Sequence, residues 1–371
     1  MSTTVRYNYR LRPGAKALAV LNADWDRVRW IWNQAIDAKR DPKRRLLKGS
    51  DLTAARATLD WLREGGQNQQ SQVLYNFNPK TAKKRKSKKR DLPSIEYTTR
   101  GFSIRDSRLR LSKCPPIPVV WHRELPSDPT SVRVYQDSLG DWYASFVVQV
   151  EDEQLPATGN KVGIDWGVST IATASDPAFD LEAPEYGKRA AVRLAKYQRR
   201  AARRQPKRGQ AGSRRYKAAK RQVARTYKKV ARQRQHTARV WAKNVVANND
   251  VIAVEDFKPK FLAKSTMARK AADNAMGTTK AELISTAQRA GRTVVIVPPA
   301  YTTMTCSECG ARAKSRLGLG ERIFACETCG LVLGRDRNAA RTILAQGETL
   351  LASAETVRQV PLPSGELSLA S

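Results

Sequence analysis

Seven side chains in this sequence have the types and spacing to do chemistry. Asp165 follows Val162-Gly163-Ile164, and Gly167 allows a tight reversal before a second β-branched run up to Ala174. Glu255 ends the apolar run Val251-Ile252-Ala253-Val254, and Asp336 stands at the head of a helix-period stretch beginning at Asn338. A carboxylate at the end of a buried strand is poorly placed for packing, because an ionised group in a core is costly unless something compensates it. If the two strands are neighbours in one sheet, the three acids converge. Packed carboxylates repel, so they either share protons or hold hard cations. Two Mg²⁺ ions bridged by such groups would stabilise the attacking water and the leaving oxygen in phosphodiester hydrolysis.

The other four residues are cysteines. Cys306-Ser307-Glu308-Cys309-Gly310 and Cys326-Glu327-Thr328-Cys329-Gly330 form two CxxC knuckles with sixteen residues between Cys309 and Cys326. Each knuckle turns two thiolates toward one point, with Gly supplying the positive φ behind the second Cys. The spacing suits one tetrahedral four-Cys structural Zn²⁺, closed to substrate by sulfur on every position. A redox dithiol is the alternative for a lone CxxC, and the second knuckle argues against it. Cys114, beside Pro115-Pro116, has no partner spacing and reads as an inert thiol. With only two histidines, His122 and His236, a His-rich metal centre is excluded.

The elements that must position these groups lie in a strongly basic chain of 371 residues. Its 68 Lys and Arg against 34 Asp and Glu give a formal charge of +34. Such a surplus opposes compaction unless a polyanion neutralises it, and nucleic acid is the leading candidate. An anionic membrane is the weaker one, since no apolar run approaches a spanning helix and no signal-peptide core opens the chain. The expectation is a cytoplasmic, nucleoid-associated protein with no membrane partner. Between residues 186 and 249 there are 22 Lys or Arg and no Asp or Glu. A solvated face mixes signs, so this acid-free helical run, broken near 206–213, points to sustained phosphate contact. Tyr216, Val223, Tyr227 and Val230 supply its apolar stripe.

Elsewhere the pattern predicts a strand at 5–11 and a helix over 15–39 with Leu18, Leu21, Trp25, Val28, Trp32 and Ile36 inward. Trp30 falls off that stripe and is left to the surface. A second helix is predicted over 52–63, ended by Gly65-Gly66 and followed by a Gln/Asn-rich patch. Residues 83–90 carry seven cations in eight positions and read as a solvated loop that orders on a phosphate backbone. Short β-rich runs at 97–104, 108–111, 118–121, 131–135 and 142–150 join the first strand in a small barrel interrupted by the helices. Residues 151–160 read as a linker. Further on, a helix is predicted over 271–290, a central strand at 294–297 and a last helix at 338–345, with disorder beyond 346.

In order along the chain, Gly163-Ile164-Asp165-Trp166-Gly167, Val254-Glu255-Asp256, the paired knuckles and Arg335-Asp336-Arg337-Asn338-Ala339-Ala340 resemble the TnpB family. So do Met267-Ala268-Arg269-Lys270-Ala271-Ala272-Asp273-Asn274 and Pro298-Pro299-Ala300-Tyr301-Thr302-Thr303. These are transposon-encoded RNA-guided nucleases related to compact type V CRISPR effectors, and the likeness is dense over 161–344. It implies an α+β multidomain chain. A wedge-like β-barrel (1–13 and 92–155) would hold an inserted helical recognition lobe (14–91). An RNase H-like α/β RuvC nuclease domain (160–300 and 331–346) would carry an inserted zinc ribbon (301–330), with a tail at 347–371.

The resemblance further implies that Asp165, Glu255 and Asp336 are catalytic ligands of two Mg²⁺, and that Cys306, Cys309, Cys326 and Cys329 bind one structural Zn²⁺. The implied partners are a guide RNA from the same mobile element and double-stranded target DNA beside a short flanking motif. The protein would be a monomer, with one site cutting both strands in turn. One departure is Gly334, where members often carry an acid two residues before the third-motif Asp. Asn338-Ala339-Ala340 sets the register and selects Asp336. Competing readings are an RNA-guided repressor that no longer cuts and a RuvC-like nuclease acting on branched DNA without RNA.

Overall fold

A computed structural model describes residues 2–353 except 83, 85, 87–90, 258–261, 263, 264, 316, 317 and 319. The chain divides into two compact units, Met1–Glu151 and Asp152–Ser371. Among the described residues no helix is long and apolar enough to cross a membrane.

The first unit opens with β1 (Ser2–Leu11), leaves the sheet for α1 (Ala15–Arg40), α2 (Gly49–Thr58), α3 (Asp60–Arg63) and α4 (Gln67–Tyr75), then returns to it. The returning strands are β2 (Ser94–Thr98), β3 (Phe102–Arg105), β4 (Arg108–Leu111), β5 (Ile117–Val120), β6 (Ser131–Gln136) and β7 (Trp142–Glu151). Every pairing is antiparallel and the order is β2-β6-β7-β1-β5-β4-β3. The two edge strands, β2 and β3, are consecutive in sequence and separated only by a single 3₁₀ turn at Thr99–Gly101. The sheet therefore curls until its edges meet, a near-barrel. Its interior is filled by Tyr9, Tyr97, Phe146, Ile95, Leu109 and Ile117, with Leu21, Trp25, Val28 and Ile31 of α1 in the same core.

Several sequence expectations change here. The run 52–63 is two helices meeting at Leu59, whose extended backbone breaks it. Leu18 is exposed, and Trp30 is half-buried, edge-on to Trp61 at 5.7 Å. The Gln/Asn-rich patch is helix α4, with Gln69 and Gln70 facing inward. Gln69 Nε2 donates to the buried Asp24 carboxylate at 2.9 Å, which also accepts from Arg27 at 3.0 Å, and Gln70 donates to the Leu62 carbonyl at 2.8 Å. Hydrophobic periodicity is blind to a helix whose inward face is amide. Of the basic run, Lys84 and Lys86 lie among the described residues and the other six outside them; Lys84 is exposed, but both backbones are held by α1. Asn33 exchanges two hydrogen bonds with the Lys86 backbone, Trp32 Nε1 donates to the Lys84 carbonyl, and the Lys86 ammonium sits 4.4 Å from the Trp32 ring centre.

The second unit begins with residues expected as a free linker. Those near its start are strapped down: Asp250 accepts from the backbone N–H of Thr158 and Gly159, and Arg292 donates to Asp250 and to the Pro156 carbonyl. The strands are β8 (Lys161–Trp166), β9 (Thr170–Ala174), β10 (Leu181–Glu182), β11 (Val251–Glu255) and β12 (Thr293–Val297), in the order β10-β9-β8-β11-β12. Strands β8, β11 and β12 are parallel, and β9 returns antiparallel to β8. Helices α5 (Tyr186–Ala202) and α6 (Arg214–Asn248) form the basic hairpin. Its expected stripe holds at Val230, whereas Tyr227 is half exposed, its hydroxyl accepting from Gln198 on α5. The predicted helix 271–290 is α7 (Ala268–Asn274) and α8 (Met276–Arg289), divided by Ala275 at φ +51°. A small ribbon hairpin follows, β13 (Ile323–Ala325) and β14 (Val332–Gly334), and then α9 (Arg335–Ala352). Helix α9 starts earlier and ends later than expected, taking in residues 347–352; residues 354–371 of the expected tail lie outside the described ones.

One sheet face packs on α6 and α8 through Ile164, Ile252, Val254, Trp241, Val245, Leu283 and Ala287. The other lies under α9, and two glycines set the spacing. A Cβ on Gly163 would stand 2.1 Å from the Ala340 carbonyl oxygen, and one on Gly347 would stand 2.6 Å from the Ala253 Cβ. Because the Gly163 neighbour is backbone, it cannot rotate away. Gly163→Ala should cost about 3 kcal/mol, the upper range for overpacking, and lower the thermal midpoint by roughly 6–12 °C for a unit of this size. Thermal denaturation followed by circular dichroism checks this.

Candidate active site and metal ribbon

The parallel register brings the first two acids side by side. Ile164 pairs with Val254, so the next residues, Asp165 and Glu255, are neighbours pointing to one face. Side chains alternate along a strand, and Gly163, two before Asp165, faces α9. Asp165 and Glu255 therefore lie under α9, at the carboxyl ends of their strands. Helix α9 runs back across the sheet, with Ala340 over Gly163 and Gly347 over Ala253. Its first turn brings Asp336 near enough to Asp165 for the two negative charges to repel.

Burial raises the Asp165 carboxyl well above the usual carboxylate range, and the negative charges of Glu255 and Asp336 raise it further. Glu255 is also raised by burial, opposed by a hydrogen bond from Thr302 and by Lys280. The two acids are 8 % and 7 % exposed, so they have little water to spread their charge. Thr302 Oγ1 donates to Glu255 Oε1 at 3.2 Å, and Lys280 Nζ donates to the Glu255 carbonyl at 2.9 Å. Asn274 Nδ2 donates to the Val168 carbonyl at 2.8 Å, pinning the turn that follows Asp165. Thr302 and Asn274 fell inside motifs already singled out, but nothing in the sequence assigned them these contacts. Lys280 carried no signal.

The run Arg335-Asp336-Arg337-Asn338 divides its work by helix face. Arg337 donates to the Asp180 carboxylate through both terminal nitrogens, at 3.0 and 2.6 Å, and to the Ala174 carbonyl, fastening α9 to the end of β9. Arg335 reaches the Gly318 carbonyl at 2.8 Å, toward the ribbon. Asn338 is fully buried; it donates to the Thr305 carbonyl at 2.8 Å and accepts from the Ser307 N–H at 2.9 Å. Asp336 is left half exposed at the helix start, 3.7 Å from Arg322.

The four cysteines come together. Cys306 and Cys329 sulfurs are 3.6 Å apart, as are those of Cys309 and Cys326. Among the described residues this is the one group of potential ligands whose donor atoms all lie within 4.8 Å of one another; the carboxylates are more widely spread. Each knuckle repeats one backbone pattern: Gly310 and Gly330 have φ of +73° and +76° and donate to the carbonyls of Cys306 and Cys326. The thiols titrate unevenly. Backbone N–H groups of Cys329 and Thr328 pull Cys326 down to about 6, while the exposed Cys329, despite the Leu331 N–H, is pushed up to about 12 by the neighbouring sulfurs. Four sulfurs this close cannot all ionise without a cation, and a soft tetrahedral ion is the one they fit.

Against known proteins, residues 145–266 match the OrfB_IS605 family, described as a probable transposase, and residues 277–343 match the Cas12f1-like TNB domain. The chain is 29 % identical to a "Putative RNA-guided DNA endonuclease" of Streptomyces pristinaespiralis over 95 % of its own length and 91 % of that protein. It is 25 % identical to the "Putative RNA-guided DNA endonuclease InsQ" of Escherichia coli K12 over 60 % of its length and 58 % of that protein. In fold it resembles the protein in a Cas12f1–sgRNA–target DNA complex, with a TM-score of 0.53, 13 % identity and coverage of 92 % and 98 %. Mixed α/β units, a cysteine ribbon and these two matched segments are what the chain shares with OrfB_IS605 and Cas12f1-like proteins. In sequence the chain resembles TnpB proteins, being 38 % identical over 90 residues to the "TnpB-like protein L79" of Acanthamoeba polyphaga mimivirus, 24 % of its own length and 17 % of that protein.

Proposed function

We propose that the protein is an RNA-guided DNA endonuclease of a mobile element. What supports this reading is that Asp165 and Glu255 end neighbouring strands, and that Asp336 opens a helix near enough for its charge to act on Asp165, in a strongly basic chain. In this reading the five-stranded sheet with α6, α8 and α9 is an RNase H-like RuvC nuclease domain, residues 160–300 and 331–346. Residues 301–330 are a zinc ribbon inserted before its third motif. The near-barrel sheet, 1–13 and 92–155, serves as wedge, and the helices of 14–91 as recognition lobe.

Asp165, Glu255 and Asp336 offer only oxygen acceptors, and two of them are held by burial in a state that disfavours their charge. Such a donor set fits hard divalent cations. The three carboxylates would hold two Mg²⁺, which when bound supply positive charge to the attacking water and the leaving oxygen. Thr302 orients Glu255, and Lys280 holds the strand end that presents it. Asn274 fixes the reversal behind Asp165, and Asn338 sets the first turn of α9 against the ribbon. The cations of α5 and α6 take phosphates. A guide RNA from the same element pairs with the target strand while the protein reads duplex shape and a short flanking motif. With one nuclease site, both strands are cut in turn, in a protein read as a monomer.

The test is to express the chain with its flanking genomic DNA, sequence the RNA that copurifies, and assay a matching target with and without Mg²⁺. A discrete RNA and metal-dependent cleavage beside a short fixed motif are expected, and binding should fall steeply as salt rises. Finding no discrete RNA would overturn the guided reading.

A further inference from the structure

Tyr301 lies in the loop that leaves β12 for the first knuckle. Its φ is +64°, a left-handed conformation that costs an L-residue about 1–2 kcal/mol and a glycine almost nothing. The turn itself uses only backbone: the Tyr301 carbonyl accepts from the N–H of Met304 and Thr305 and from Thr305 Oγ1, at 2.9, 3.0 and 3.0 Å. Glycine would make that turn better. What tyrosine adds is a ring, and the residue is 51 % exposed. The Arg312 guanidinium lies over the ring, 2.9 Å from its centre, and Arg312 is bridged to Thr305 across the loop. Among the described residues no carboxylate pairs with Arg312. The next residue, Thr302, is buried and holds Glu255.

An exposed aromatic with a stacked, unpaired guanidinium, one residue from a group that orients an acidic site, has the composition of a single-strand platform. We propose that Tyr301 and Arg312 position the DNA strand to be cut: an unpaired base stacks on the exposed part of the Tyr301 ring, and the adjacent phosphate takes the outer edge of Arg312. Tyr301 is then a positioning residue, and the strained turn serves to aim its ring outward while Thr302 aims inward. The inference rests on the nuclease reading of the neighbouring carboxylates.

The experiment uses the full chain with its copurified RNA and a short single-stranded DNA carrying 2-aminopurine, whose fluorescence reports stacking. Tyr301→Gly should weaken single-strand binding about tenfold or more, abolish the stacking signal and raise KM with little change in kcat. Its thermal midpoint should stay level or rise, because the backbone strain is relieved. Tyr301→Phe should keep both binding and signal. Arg312→Gln should weaken binding and make it less dependent on salt. Single-strand binding and KM unchanged in Tyr301→Gly would reduce Tyr301 to a turn residue and overturn the proposal, as would loss of stacking in Tyr301→Phe. If the wild type cuts no DNA under any condition, the nuclease reading fails instead. The stacking measurement does not depend on cleavage and separates the two.

Discussion

Asp165→Asn and Glu255→Gln should each abolish DNA cleavage, by about 10³-fold or more, and leave the protein folded with its RNA bound. Each isostere keeps the shape of its acid but removes a charge that would hold a cation worth several kcal/mol to the transition state. Burial disfavours ionisation of both acids, and the charges of Glu255 and Asp336 disfavour it further at Asp165. Since a group whose carboxyl is raised in the fold loses stability by being charged at neutral pH, neutral isosteres should leave the metal-free thermal midpoint unchanged or higher. That distinguishes a chemical loss from a folding loss. The Asp165→Asn, Glu255→Gln double variant should be little worse than either single one, because the groups act as a unit. Asp336→Asn should join them in lost cleavage. It should also cost a few tenths of a kcal/mol in α9, whose first turn favours a negative charge. Single-turnover cleavage, circular dichroism and the RNA content of the purified variants check the set. Cleavage surviving in Asp165→Asn or Glu255→Gln would remove the assignment.

How much of this was legible in the sequence depends on what kind of force placed each residue. Strand ends marked by Asp165 and Glu255 were readable because a carboxylate after a β-branched run is a break in a strong pattern. The knuckles were readable because their backbone geometry is local, and Gly310 and Gly330 adopt the positive φ the spacing required. Long-range packing was not. That β8 and β11 are parallel and in register, which puts the acids side by side, depends on α6 crossing between them. The role of Gly163 depends on α9, more than 170 residues away. Helix α4 was missed because its inward side chains are Gln69 and Gln70, satisfied by Asp24 and Leu62. No hydrophobic period reports that kind of burial. Thr302 and Lys280 act through single hydrogen bonds to Glu255, which leave no pattern along the chain.

Removing metal from the ribbon should disable the distant carboxylates, and the route is structural. The ribbon core is small: Cys306, Cys326 and Phe324, with Ala311 and Leu331 beside them. That is too little apolar surface to hold a fold alone, so the cation is expected to supply most of the ribbon's stability, of the order of 10 kcal/mol for a four-Cys zinc site. The five-stranded sheet has separate cores on its two faces and should remain folded. A buried joint between the two lies where Asn338 bonds Thr305 and Ser307 and Thr342 bonds Thr305. When the knuckle loosens, that point loosens with it, and Asp336 sits two residues before Asn338 on the same helix. Strong chelation, or Cys306→Ser, should therefore release about one zinc per chain, as a closed four-ligand site requires. Most helical signal should survive while cleavage falls by at least about tenfold, the cost of a small misplacement at a site that works by position. Asn338→Ala should reproduce part of that loss with zinc retained, because it cuts the joint without touching the sulfurs. If chelated protein loses zinc but cleaves as before, the ribbon does not position Asp336, and Asn338 is only a packing residue.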